Sequence, residues 1–220
     1  MTLADRAPLP PEPPSSGARL ALPVLLVLAL LVAGGVGAYF LLRPHLVFTN
    51  TLAAPVKLAV GGVPPSAVAP GESMRVALSR GRTAVAQWEL VRPLSADGRP
   101  MGEEVRGSSV LRAPSGTVRV TAASRTADDA YFAPLVTNAS AQLLRVMVNA
   151  GLRGAVDCGC AVRPGARRVF IGYYRLFQNS TVEGRAPGVG AGTFRELGPR
   201  VIAPDGTVGL RFEDKDLRGP

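Results

Sequence analysis

The feature that most constrains this chain is that its second half echoes its first. Thr49-Asn50 recurs as Thr137-Asn138, each followed by a cation (Lys57, Arg145) and then a valine (Val60, Val148) at the same spacing. Ala67-Val68-Ala69-Pro70-Gly71 is matched by Ala161-Val162-Arg163-Pro164-Gly165, and Arg75-Val76 by Arg168-Val169. Asp97-Gly98-Arg99 stands against Glu183-Gly184-Arg185, and Ala113-Pro114-Ser115-Gly116-Thr117-Val118 against Ala203-Pro204-Asp205-Gly206-Thr207-Val208. The offsets run 88, 94, 93, 86 and 90, so the landmarks keep their order with small insertions. The expectation is a tandem duplication over 46–122 and 133–213, joined by a linker at 123–132 and followed by a tail at 214–220.

The shared landmarks are turn chemistry. Proline presets φ near −65° and a following glycine accepts positive φ, which suits the central pair of a type II turn; Ala-Pro-(Ser/Asp)-Gly suits type I. Between them lie short runs that alternate apolar and polar, as in Val118-Arg119-Val120 and Leu144-Arg145-Val146-Met147-Val148, the period of a strand with one wet face. Strands are expected at Leu46–Thr49, Val56–Val60, Met74–Leu78, Thr83–Val91 and Thr117–Thr121, then at Leu143–Val148, Arg168–Tyr174, Phe177–Val182 and Thr207–Phe212. With 25 Gly, 20 Pro and few capped helical patterns, the fold class is all-β: two tandem small antiparallel β-sandwiches, Ig-like, behind a single N-terminal transmembrane helix. Trp88 and Tyr174 fall at matching places as core aromatics, with carbohydrate stacking as the alternative role.

The helix is read from 20–42, which carries no charge and is flanked by Arg19 and Arg43. At about 1.5 Å per residue it exceeds the roughly 30 Å hydrocarbon core of a lipid bilayer. A cleaved signal peptide ending near Val36-Gly37-Ala38 is the competing reading. Arg6 and Arg19 before the run balance Arg43 and Lys57 after it, so charge does not orient the span. A signal anchor with a cytoplasmic N-terminus and an extracytoplasmic C-terminal body in the cell membrane is the simplest arrangement. Ala29, Ala33 and Gly37 share one helix face, the small-residue spacing that lets two helices meet as a homodimer; a segment rich in Ala and Gly also produces it by composition. The leader, 1–19, is proline-rich and expected to be disordered with polyproline character.

The 25 basic and 16 acidic residues give a formal charge of +9, a field that attracts anionic lipid, polysaccharide or nucleic acid. The arginines are scattered, so no specific nucleic-acid site is expected, and an arginine-rich codon bias writes the same composition. Cys158 and Cys160 flank Gly159 and lack the paired knuckles of a zinc site. In an extended strand their Cα atoms would stand near the upper limit for a disulfide; Gly159 permits the turn that bridging needs. Inert thiols, an intermolecular cross-link and copper(I) binding are the alternatives.

His45, the sole histidine, follows the span immediately and is a poor general base. Glu103-Glu104, Asp128-Asp129 and Glu213, Asp214 and Asp216 could form a glycosidase-like pair only in three dimensions. The last group could hold calcium, but Lys215 inside it suits a solvated tail. Asn138-Ala139-Ser140 and Asn179-Ser180-Thr181 satisfy the N-glycosylation pattern. No catalytic, metal or cofactor residue is assigned. The expected function is a membrane-anchored, non-enzymatic protein whose repeats bind a protein or an anionic envelope polymer. A polysaccharide hydrolase and a membrane-tethered cytoplasmic regulatory module are the alternatives.

Overall fold

A computed structural model describes residues 17–41, 43–126, 128–150, 152, 156–189, 193–197 and 201–217. The proline-rich leader through 16 and the last residues of the expected tail, 218–220, lie outside them. The chain divides into two compact units, Met1–Arg43 and Pro44–Pro220.

The first unit holds one helix, α1 (Gly17–Leu41). From 24 to 39 every side chain is exposed, with Leu25 at 63% and Leu31 at 68%. Among the described residues, no helix is long and apolar enough to cross a membrane.

The second unit is all-β. Its first half contains β1 (His45–Asn50), β2 (Val56–Val60), β3 (Val63–Val68), β4 (Ser73–Ala77), β5 (Ala84–Leu90), β6 (Arg106–Leu111) and β7 (Thr117–Ala122). They form a three-stranded sheet in the order β4-β1-β7 and a four-stranded sheet in the order β3-β2-β5-β6. Alternation places Leu46 and Phe48 of β1, Val56, Leu58 and Val60 of β2, and Ala86, Trp88 and Leu90 of β5 in one core shared by both sheets.

The second half contains β8 (Tyr131–Asn138), β9 (Leu144–Val148), β10 (Val156–Val162), β11 (Val169–Phe170), β12 (Tyr174–Arg175), β13 (Thr181–Arg185), β14 (Thr193–Glu196) and β15 (Thr207–Phe212). Its sheets repeat the connectivity, with β11 and β12 sharing the place of β4: β8 lies between them and β15, and the other sheet runs β10-β9-β13-β14.

The sheets are not purely antiparallel. β1 pairs β7 in parallel, and β8 pairs β15 in parallel. The Ala-Pro-x-Gly turns explain this: Gly116 O accepts from His45 N–H and Gly206 O from Ala133 N–H, so first and last strands start from the same end. The Thr-Asn and Pro-Gly landmarks also meet in space. Asn50 donates through Nδ2 to Ala54 O and Val68 O and accepts from Leu52 N–H, while its backbone bonds Gly71 and Glu72. Asn138 does the same with Gln142 O, Val162 O, Ser140 N–H, Gly165 and Ala166.

Two other sequence matches do not survive. Asp97-Gly98 lies in the β5–β6 loop, whereas Glu183-Gly184 is inside β13; Arg75 pairs Val47 but Arg168 precedes β11, two residues out of register. Trp88 and Tyr174 are not equivalent either. Trp88 faces Leu58 of β2, while the corresponding place opposite Val146 of β9 is Gly184, and Tyr174 is on β12.

The expected linker is shorter than 123–132, because β8 begins at Tyr131 and an Arg125–Ala130 bridge ties the connection. The expected C-terminal tail is packed in part: Asp214–Asp216 form a 3-10 turn and Leu217 is buried in the second core. The two halves also exchange residues. Met101, from the β5–β6 loop, is buried in the second core, and Tyr173, between β11 and β12, is buried in the first. Gly102 and Gly172 make the exchange possible. A Cβ on Gly102 would stand 2.8 Å from Tyr173 N and 2.9 Å from Gly172 Cα, and their φ of +80° and +102° are positions that side chains rarely adopt.

Candidate binding surfaces

The outer face of β3-β2-β5-β6 is built from the polar members of each alternating strand. Register places Lys57, Glu89 and Arg106 in one cross-strand row and Ala59, Gln87 and Ser108 in the next. With Pro65 and Glu104 these residues line an open concavity of about 540 Å³. Arg106 bonds Glu104 at 3.1 Å and Lys57 stands opposite Glu89, so charges alternate in sign across the face. Trp88 is only 6% exposed, and its indole packs over Gly107, where a Cβ would come within 2.7 Å of it. Neither Trp88 nor the fully buried Tyr174 is available to stack on a sugar.

A second, smaller crevice of about 390 Å³ runs between the β5–β6 loop and β10, lined by Leu94, Asp97, Met101, Cys160 and Val169 among others. Cys158 and Cys160 are joined in a disulfide there, with Cα atoms 5.1 Å apart. Gly159 at φ +62° supplies the turn, and the β9–β10 register shifts between Asp157 and Ala161. β3 shifts at the same place against β2, where Pro64-Pro65 stand instead. Both strands are sheet edges, where an irregular backbone leaves the ladder least disturbed.

The remaining sequence candidates separate in space. His45 is half-buried at the start of β1, between Ala77 and Thr117. Glu103 accepts from Arg175 N–H at 3.2 Å, and Asp129 pairs the Arg175 guanidinium at 2.7 Å. Asp97 is held below its ordinary value by the Ser95 hydroxyl first, then by its own backbone, with a smaller contribution from Arg99. Lys215 first and then Arg211 hold the Glu213 carboxyl below its ordinary value. Asp214 accepts from Ala141 N–H and Asp216 from Glu213 N–H. Among the described residues, no three His, Cys, Asp or Glu side chains converge on a metal position.

Ala29, Ala33 and Gly37 are described on α1, and a Cβ at Gly37 would meet nothing within 4 Å. Asn138 is fully buried, whereas Asn179 is exposed. Sequence reasoning missed Glu89 and Gln87 as surface residues of one face, because their assembly depends on β6, whose Arg-Gly-Ser-Ser run carries no strand signal. No protein-family profile matches this chain, and no curated protein and no solved structure matches it.

Proposed function

We propose that this is a single-pass membrane-anchored protein that displays two Ig-like β repeats outside the cytoplasm to bind a partner, without catalysing a reaction. The observation that carries the reading is the helix: residues from 24 to 38 are apolar or small and exposed all round its circumference. An all-round apolar helix needs lipid or protein to cover it, and the uncharged sequence run from 20 to 42 is long enough for lipid. The alternating charges on the concave face favour a protein partner over a uniformly anionic polymer.

Alkaline carbonate extraction of membranes holding the full chain tests the anchor, which predicts retention in the pellet. A C-terminal tag digested on intact cells supports the outward topology; digestion only after lysis overturns it.

One observation favours a second reading, polysaccharide hydrolysis: Glu89 and Glu104 line the same concavity. Each is matched with a cation instead of with the other carboxylate, which suits recognition. Hydrolysis of a polysaccharide by the full chain, abolished in both E89Q and E104Q, would establish the enzyme instead.

A further inference from the structure

We infer that the end of the first repeat where the chain enters is a seat for anionic lipid headgroups; this rests on the membrane-anchored reading above. Only 42–44 separate Leu41 of α1 from His45 of β1, so a span ending in the headgroup layer delivers the chain directly to this end. Three loops lie there. The β4–β5 loop is tied to the entry by Leu78 N–H donating to Pro44 O, and the β6–β7 loop by His45 N–H donating to Gly116 O. The third is the Gly61-Gly62 turn after β2, beside Val85.

These loops present Arg80, Arg82 and Arg112, all exposed, and no carboxylate. Register brings the arginines together: Ala84 pairs Leu111, so Arg82 and Arg112 flank adjacent strand ends, and a Ser79–Arg82 turn carries Arg80 beside them. None of the three forms an ion pair among the described residues. The opposite end of the same repeat holds every loop carboxylate, Glu72, Asp97, Glu103 and Glu104. A field of one sign at the entry end, and mixed charge at the other, is the polarity a domain needs to stand upright on an anionic surface.

The test reconstitutes the full chain in nanodiscs of phosphatidylcholine, with and without phosphatidylglycerol, and follows amide exchange at 79–83 and 112–116, with 95–99 as reference. Each arginine near an anionic surface is worth about fivefold in association, so three together reach on the order of a hundredfold. Exchange at the two entry loops is expected to slow at least tenfold with phosphatidylglycerol, while the reference loop stays unchanged. High salt should reverse the effect, and the R80Q/R82Q/R112Q variant should lack it while keeping its Trp88 emission.

Equal exchange in both lipids overturns the inference while leaving the anchor standing. Equal slowing by soluble dextran sulfate in phosphatidylcholine discs assigns the arginines to a polymer and overturns it too. Carbonate extraction of the chain overturns both the anchor and the seat.

Discussion

Tyr173→Phe isolates one of the bonds that join the two halves. The Tyr173 hydroxyl accepts from Ala53 N–H at 2.7 Å and donates to Asp205 O at 2.5 Å, bridging a loop of the first half to the last turn of the second. Phenylalanine keeps the ring and its edge contact with Phe170, 5.8 Å between centroids, so the change removes only the oxygen. Two backbone groups then lose their partner. At about 1–3 kcal/mol for each stranded group, and with Ala53 only part-buried, the loss should be about 2–4 kcal/mol. Urea unfolding of the full chain in detergent can be followed by emission of Trp88, the sole tryptophan, and by far-UV circular dichroism. With an m-value of about 2 kcal/mol per molar urea, Tyr173→Phe should lower the midpoint by about 1–2 M. A midpoint shift under about 0.5 M would refute the bridge.

The same hydroxyl gives an alkaline signature. Burial first, with a smaller contribution from the Asp205 charge and against the Ala53 bond, pushes the Tyr173 phenol up to about 12. The folded state holds this proton more tightly than the unfolded chain, whose phenol titrates near 10. That contribution is therefore complete below pH 10 and lost as pH rises from 10 to 12. Tyr173→Phe should flatten this part of the stability profile.

Gly102→Ala should destabilise by about 2 kcal/mol or more, because the new Cβ meets backbone at 2.8 Å and φ is +80°; thermal unfolding measures it, and an unchanged midpoint would rule out the close approach. Asn50→Ala and Asn138→Ala should each cost about 2–4 kcal/mol, since each strands several buried backbone groups. In a glycosylating host the mature chain should gain mass at Asn179 and not at the buried Asn138, as intact-mass and peptide mapping would read. Replacing Cys158 and Cys160 together by serine should cost only about 1–2 kcal/mol from chain entropy, because the loop closed has a sequence separation of 2. Equilibrium unfolding compares the two chains.

Much of the β architecture could be read from residues whose reason is local. Val56–Val60 and Thr207–Phe212 alternate cleanly, and both are strands with those bounds. The unread strands are those whose pattern is broken for structural reasons. β3 carries Pro64-Pro65 and β10 carries Cys-Gly-Cys, both on edges where an interrupted ladder costs little. Arg168–Tyr174 reads as one strand, yet Gly172 at φ +102° divides it so that Tyr173 can leave its own half. Of the candidate surface, Lys57 stands out in the sequence as a repeat landmark, but its neighbours Glu89 and Arg106 are brought to it by long-range pairing alone.

The exchange of Met101 for Tyr173 also makes the length of one loop in one half a packing requirement of the other. The β5–β6 connection that delivers Met101 runs from 91 to 105, whereas its counterpart between β13 and β14 runs only from 186 to 192. Of these two connections, the longer places Met101 in the other half's core. Trimming 91–105 to the length of 186–192 would leave the strands of both sheets in place and open a gap at Met101, so a deletion in one half would be felt as a packing loss in the other.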